Sequence, residues 1–118
     1  MLPRPHKLTS SADFKAAMKQ GVRAGSRTLM VHVRVRDDDT ITGGPRFGLV
    51  VSKQIGNAVA RHAVSRKLRH VVLQRGVVDK LERNCDVVIR ALPKSAEASS
   101  DELAHDLHKA LDKAAKKR

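Results

Sequence analysis

Between Gly56 and Val72 the sequence GNAVARHAVSRKLRHVV carries Arg61, Arg66, Lys67 and Arg69 together with His62 and His70, and no carboxylate. Guanidinium and ammonium groups at this density neutralise phosphates, and arginine can grip one phosphate with two parallel donors. A solvated helix normally mixes signs, because opposite charges four apart support it and like charges weaken it. Asp and Glu are absent from Thr40 through Val78, so the balancing charge belongs to a partner. A net charge of +12 over 118 residues makes that partner a polyanion: RNA, DNA or an anionic membrane surface.

The same residues do not assemble into an obvious catalyst. The chain has six histidines, and paired imidazoles can act as acid and base in RNA cleavage. His62, however, has no second His or carboxylate at a spacing that ensures reach, and Arg61 and Arg66 oppose its protonated form. No catalytic residue is therefore assigned. His105 and His108 have a metal spacing without a third ligand. Asp37-Asp38-Asp39 reads as a solvated loop rather than a cation site. Gly43-Gly44-Pro45 lacks the Lys-Ser/Thr of a phosphate loop, and the basic region lacks the clustered carboxylates of a metal-dependent nuclease. With two Phe and no Trp or Tyr, a surface built on many stacking aromatics is not expected. Cys85 is the only cysteine and adjoins Val87-Val88-Ile89, so it reads as a buried reduced thiol. No signal peptide or apolar run of membrane length is present, which implies a cytoplasmic protein and no membrane partner.

The elements that must position these groups form one domain over residues 1–118, with no internal repeat. Residues 1–8 hold two prolines and read as extended. Ser10 or Ser11 caps a first helix through Asp13, Phe14, Ala17 and Met18, with Gly21 as its C-terminal glycine. Phe14, Ala17 and Met18 share one face. Leu29–Arg36 alternates strictly, with Leu29, Val31, Val33 and Val35 on one side and Met30, His32, Arg34 and Arg36 on the other. The Asp37–Pro45 stretch then reads as a hairpin loop into a second strand, Phe47–Ser52, dense enough in apolar residues to be central. After Gly56 the period becomes helical: Arg61, Ser65, Arg69, His62 and Arg66 fall within about 140° of one another. Ala60, Val64, Leu68, Val71 and Val72 form the opposite, buried stripe. A short helical segment around Val78–Arg83 leads to a third strand, Asp86–Leu92. Ser99 and Glu102 make a capping box for a last helix whose stripe is Leu103, Leu107, Ala110, Leu111 and Ala114; residues 114–118 read as frayed. What emerges is an α/β domain that displays charge on a rigid helix, suited to the backbone and shape of a structured RNA.

Here the chain resembles the protein subunit of bacterial ribonuclease P. Its basic signature, Gly-x-Ala-Val-x-Arg-Asn-Arg-x-x-Arg-x-x-Arg after a Ser-Lys pair, is matched by Ser52-Lys53, Gly56, Ala58-Val59, Arg61, Arg66 and Arg69. Ala12-Asp13-Phe14 with Gly21, Arg46-Phe47-Gly48, and Asp86-Val87-Val88-Ile89-Arg90 with Pro93 extend the likeness across nearly the whole chain. The central Arg-Asn-Arg is Arg61-His62-Ala63 here, so imidazole replaces an amide and one guanidinium is lost. The resemblance implies a two-layer α/β sandwich: a four-stranded mixed sheet packed against helices, with a left-handed βαβ crossover in place of the usual right-handed one. It implies binding to the ribonuclease P catalytic RNA through Lys53, Arg61, Arg66, Lys67 and Arg69. It also implies guidance of the single-stranded 5′ leader of precursor tRNA by Phe14, Met18, His32, Arg34 and His62. The RNA would carry the active site and bind most of the Mg²⁺, and no protein partner is expected. The alternative is a ribosome-associated or other structured-RNA-binding protein without a role in cleavage.

Overall fold

The computed structural model describes residues 6–36, 44–74 and 76–117. Helix α1, Ser11–Gln20, starts at Ser10, whose side chain accepts from the Asp13 amide at 3.3 Å. Gly21 ends it, as expected, but in an extended conformation, φ −74°, rather than the left-handed one common at helix ends. Glycine is needed there for space: a Cβ would collide with the carbonyl oxygens of Ala17 and Val33. Strand β1, Val22–Gly25, follows at once. It escaped sequence reading because four residues are too few to display a period. Then come β2 (Leu29–Val35), β3 (Arg46–Val50), a 3-10 turn at Lys53–Ile55, and α2 (Ala58–Gln74). The one-turn helix α3 (Val77–Lys80), β4 (Cys85–Ala91), a second 3-10 segment at Pro93–Glu97, and α4 (Ser100–Lys117) complete the chain.

The sheet order is β1-β2-β4-β3, antiparallel except for the parallel pair β3–β4, which is joined through α2. Two expectations give way. β2 and β3 do not form a hairpin, because β4 lies between them, and β3 is an edge strand rather than a central one. β4 takes the centre because Val87, Val88 and Ile89 are apolar on both faces, which only a doubly covered strand tolerates. Of the connection between β2 and β3, Asp37-Asp38-Asp39 and Gly43 lie outside the described residues.

Both sheet edges are covered. Along β3 runs the segment before α1: Lys7 bridges Phe47 and the Leu8 amide donates to the Phe47 carbonyl at 2.9 Å. His6 Nδ1 donates to Pro45 O at 2.9 Å. Along β1, Lys113 and Lys117 of α4 donate to the carbonyls of Gly25 and Arg23 at 3.1 and 2.8 Å. Side-chain ammonium groups thus occupy acceptors that another strand would otherwise seek. Helix α4 continues to Lys117, with Ala114 buried.

The inner face carries the main core. Leu29, Val31, Val33, Phe47, Val87 and Ile89 meet Val64, Leu68, Val71 and Val72 of α2 and Leu103, Leu107 and Leu111 of α4. Each fully buried leucine here contributes about 1.5–3 kcal/mol relative to exposure. The expected capping box starts α4, with Ser99 and Glu102 exchanging bonds of 3.1 Å. Thr28 donates to the buried Asp106 at 2.5 Å, tying α4 to the β1–β2 turn. The outer face is crossed by α1, where Leu8, Ala17 and Val88 form a small second cluster joined by Phe14 and Val50.

Candidate nucleic-acid interface

Gly56 adopts φ 145°, ψ −155°, a conformation that residues with a side chain rarely reach, and this turn aims α2 across the sheet. Asn57 caps the helix, its Oδ1 accepting from the Ala60 amide at 2.9 Å. On α2, His62, Arg66 and His70 are exposed together with Leu73 and with Val59, which is 78% exposed. Arg61 and Arg69 sit half-buried on one flank of that face. Lys67 sits on the other flank and donates to Ala98 O at 3.0 Å, so its ammonium closes a 3-10 turn rather than joining the arginines. Lys53 is exposed just before the helix. Among the described residues, none of Lys53, Arg61, Arg66 and Arg69 has an acidic partner.

The Arg69 flank borders a groove of ≈ 470 Å³ lined by Lys7, Leu8, Phe14, Phe47, Gly48, Leu49 and Arg69. Its walls come from four places: the segment before α1, α1 itself, β3 and α2. The Phe14 ring lies over Gly48 in the space that a Cβ would fill. The lining is apolar, with one cation from each side and no carboxylate. Phe14 and Arg69, to which the resemblance implies contacts with different RNA strands, therefore line one groove. Met18 follows one turn along α1 and is 39% exposed.

On the outer face the structure changes the reading of two residues. His32, which the resemblance implies as a leader contact, is only 4% exposed, and neither ring nitrogen has a hydrogen-bond partner. Burial, then the charges of Arg90 and Arg23, push its pKa below the ordinary 6.5, so the ring is neutral near pH 7. Alternation put His32 on the correct face but could not show that α1 would cover it. Arg34 is partly neutralised, 3.9 Å from both Asp13 and Asp86.

Asp86 was missed as a centre of organisation. It is fully buried and receives two 2.8 Å bonds from Arg46, with Arg36 Nε at 3.2 Å. Arg46 also reaches Asp13 at 3.3 Å, so the cluster ties α1 to β3 and β4. The available signal was an acid directly before the apolar run Val87-Val88-Ile89, a position that requires partners.

Among the described residues there is no group of three or more His, Cys, Asp or Glu that could hold a metal ion. His105 is exposed, and His108 accepts from Lys80 at 3.1 Å. No helix among them is long and apolar enough to cross a membrane. Cys85 is buried and takes part in no disulfide among the described residues.

A family model described as ribonuclease P matches residues 2–115. The chain is 50% identical over 121 residues to the ribonuclease P protein component of Corynebacterium diphtheriae, with 100% of each chain covered. It is 49% identical to that of Rhodococcus opacus, covering 94% of this chain and 90% of the relative. The solved ribonuclease P protein of Staphylococcus aureus superposes with a TM-score of 0.75 at 22% identity, covering 91% of this chain and 93% of that one. The protein from Thermotoga maritima, solved with 1-(4-fluorophenyl)-2-thiourea, gives a TM-score of 0.72 at 21% identity, over 87% and 94% of the two chains. At such identities these structures speak to the fold, which is the mixed four-stranded sheet with helices described above.

Proposed function

The chain belongs to the ribonuclease P protein family, and from that premise we propose that α2 docks on the catalytic RNA while the groove beside it receives the 5′ leader of precursor tRNA. A protein component of ribonuclease P serves in maturation of tRNA 5′ ends, which sets aside the ribosome-associated alternative. The observation that carries the finer assignment is the groove: an apolar floor with the Phe14 ring at one wall and Lys7 and Arg69 among its lining.

That composition suits single-stranded RNA. A base can stack on Phe14 regardless of its identity, since every base has a π face, while the cations neutralise the flanking phosphates. Leu8, Phe47 and Leu49 exclude water from the stacked base. On the other side of Arg69, the face of Arg66, His62 and His70 is free to follow an RNA backbone. Arg69 lies between the two surfaces and can hold leader and catalytic RNA near one another.

The chemistry of hydrolysis belongs in this reading to the RNA. No acid–base pair lines the groove, and the described residues contain no cluster of metal ligands. In this reading Mg²⁺ would be held chiefly by RNA phosphates, where it would supply charge neutralisation and a more acidic bound water. The protein's share is positioning and charge neutralisation, which lower the barrier by holding the scissile bond in place. The compartment in this reading is the cytoplasm.

The test is cleavage of precursor tRNA by the purified protein, by ribonuclease P RNA, and by both. At low Mg²⁺ and moderate salt, the mixture should cleave at the mature 5′ end well above either component. Cleavage by protein alone would transfer the active site to the protein. No gain on mixing would remove the protein from the reaction.

A further inference from the structure

Beyond Ala58 at its first position, the exposed residues of α2 among those described are Val59, His62, Arg66, His70 and Leu73. They follow one another at steps of three and four, so they stand in one line along the helix. His62 and His70 lie about 12 Å apart along the axis, with Arg66 midway between them. Val59 and Leu73 close the line at its two ends. With neutral rings the line holds one charge, the guanidinium of Arg66. With both rings protonated it holds three.

Neither imidazole has a hydrogen bond or ion pair among the described residues. The charged groups of α2 itself are the cations Arg61, Arg66, Lys67 and Arg69. Of the elements packed against it, the 3-10 segments bring Lys53, Lys94 and Glu97, and α3 brings Asp79 and Lys80. α4 meets α2 with its apolar stripe, and its Glu102, Asp106 and Asp112 are held by Arg27, Thr28 and Lys80. Cations thus outnumber acids around the line, and in the free protein they oppose further charge on either ring. A phosphodiester seated there reverses the sign. It neutralises Arg66 and favours a protonated ring, which donates to it a charge-assisted hydrogen bond.

We propose that His62 and His70 make docking of α2 on the catalytic RNA proton-coupled, each ring taking up a proton as an RNA phosphate seats against it. The proposal rests on the reading that α2 docks on that RNA. Linkage is reciprocal: RNA that favours the proton is itself favoured by it, so docking strengthens as pH falls. A phosphate that raises an imidazole's pKa by about one unit strengthens docking by up to about tenfold once the ring is charged. At the position of His62 the family signature has Asn, which forms hydrogen bonds without titrating, so the coupling there belongs to this chain.

The experiment measures assembly of the purified protein with ribonuclease P RNA at constant Mg²⁺ between pH 8 and 6. It compares the parent with His62→Asn, His70→Gln and the double variant. Affinity should rise roughly 35-fold over this range in the parent, roughly sixfold in each single variant and little in the double. For the parent, the plot of log K against log salt should be steeper at pH 6 than at pH 8 by up to about 1.8, two duplex phosphates at roughly 0.9 each. Lysine at both positions should bind at pH 8 as the parent does at pH 6 and lose the pH dependence. Arg66→Ala serves as the docking control and should weaken assembly at every pH. Suppose the double variant melts like the parent and keeps the parental pH response. The proton coupling is then overturned, while an Arg66 effect leaves the docking of α2 intact. Equal losses at pH 8 and pH 6 would make the rings plain contacts and overturn it as well. So would a pH response confined to precursor-tRNA affinity of the assembled holoenzyme, which would assign the rings to the leader. If Arg66→Ala and the double variant are both silent, the docking reading itself falls.

Discussion

The ring of Phe14 fills the space above Gly48 that any other residue's Cβ would claim. The pairing fixes how α1 sits on the edge strand and turns Phe14 into one wall of the groove. Half of the ring's role is therefore packing, against the cluster of Leu8, Ala17 and Val88, and half is display. Gly48→Ala should push the ring aside without emptying the cluster. We expect a stability loss of about 1–3 kcal/mol from overpacking. A loss of about 1–3 kcal/mol in leader binding should accompany it, as for removal of a stacking platform. Thermal melting and leader affinity measured on the same sample check both, and unchanged leader affinity would show that the ring's placement is irrelevant to the substrate.

The basic residues of α2 should separate in their salt dependence. Arg66→Ala should reduce the slope of catalytic-RNA binding against log salt by about 0.9, one duplex phosphate contact, with little change in melting. Lys67→Ala should do the reverse: the slope stays, and about 1 kcal/mol of stability is lost with the bond to Ala98. A Lys67 slope change as large as that of Arg66 would return Lys67 to the interface.

Asp86 and Asp13 share Arg46 but differ in burial. Asp86→Ala strands guanidiniums in a closed site and should cost about 3–5 kcal/mol. Asp13→Ala removes a half-exposed partner and should cost about 0–1 kcal/mol. Because Asp13 anchors α1, its loss should loosen the groove and weaken leader binding more than stability. Chemical denaturation of both variants checks the order, and equal losses would mean that the Asp86 pairings are not the main support.

His32 carries a pH signature whose sign follows from its surroundings. Burial, Arg90 and Arg23 lower its folded-state pKa below the 6.5 of an exposed imidazole. The unfolded chain therefore binds the proton more readily. Stability from this residue is complete above about pH 6.5 and is lost as pH falls toward the lowered folded value. Replacing His32 by Leu removes the titration and the two unpartnered nitrogens. The variant should lose less stability than the parent between pH 7.5 and 5.5. Parallel melting curves over that range would show that the imidazole is already solvated.

Much of the site was legible from local pattern. The α2 stripe of Val64, Leu68, Val71 and Val72 is buried as its spacing requires, and the capping box starts α4 where Ser99 and Glu102 stand. These features depend on residues a turn apart, so helix geometry alone decides them. The lack of acids around Arg61, Arg66 and Arg69 likewise shows in the chain itself, and it identified a polyanionic partner before any fold was known. Strand order did not follow. Leu29–Arg36 and Phe47–Ser52 read as a hairpin because they are neighbours in sequence, yet β4 separates the strands they form. Only the demand of Val87-Val88-Ile89 for cover on both faces puts that strand between them. The burial of His32, the withdrawal of Lys67 to Ala98, and the pairing of Asp86 with Arg46 each join residues 30 or more positions apart or bring a helix over a strand. Alternation and helical periodicity state which face a side chain takes. What lies against that face is decided by how the whole chain closes.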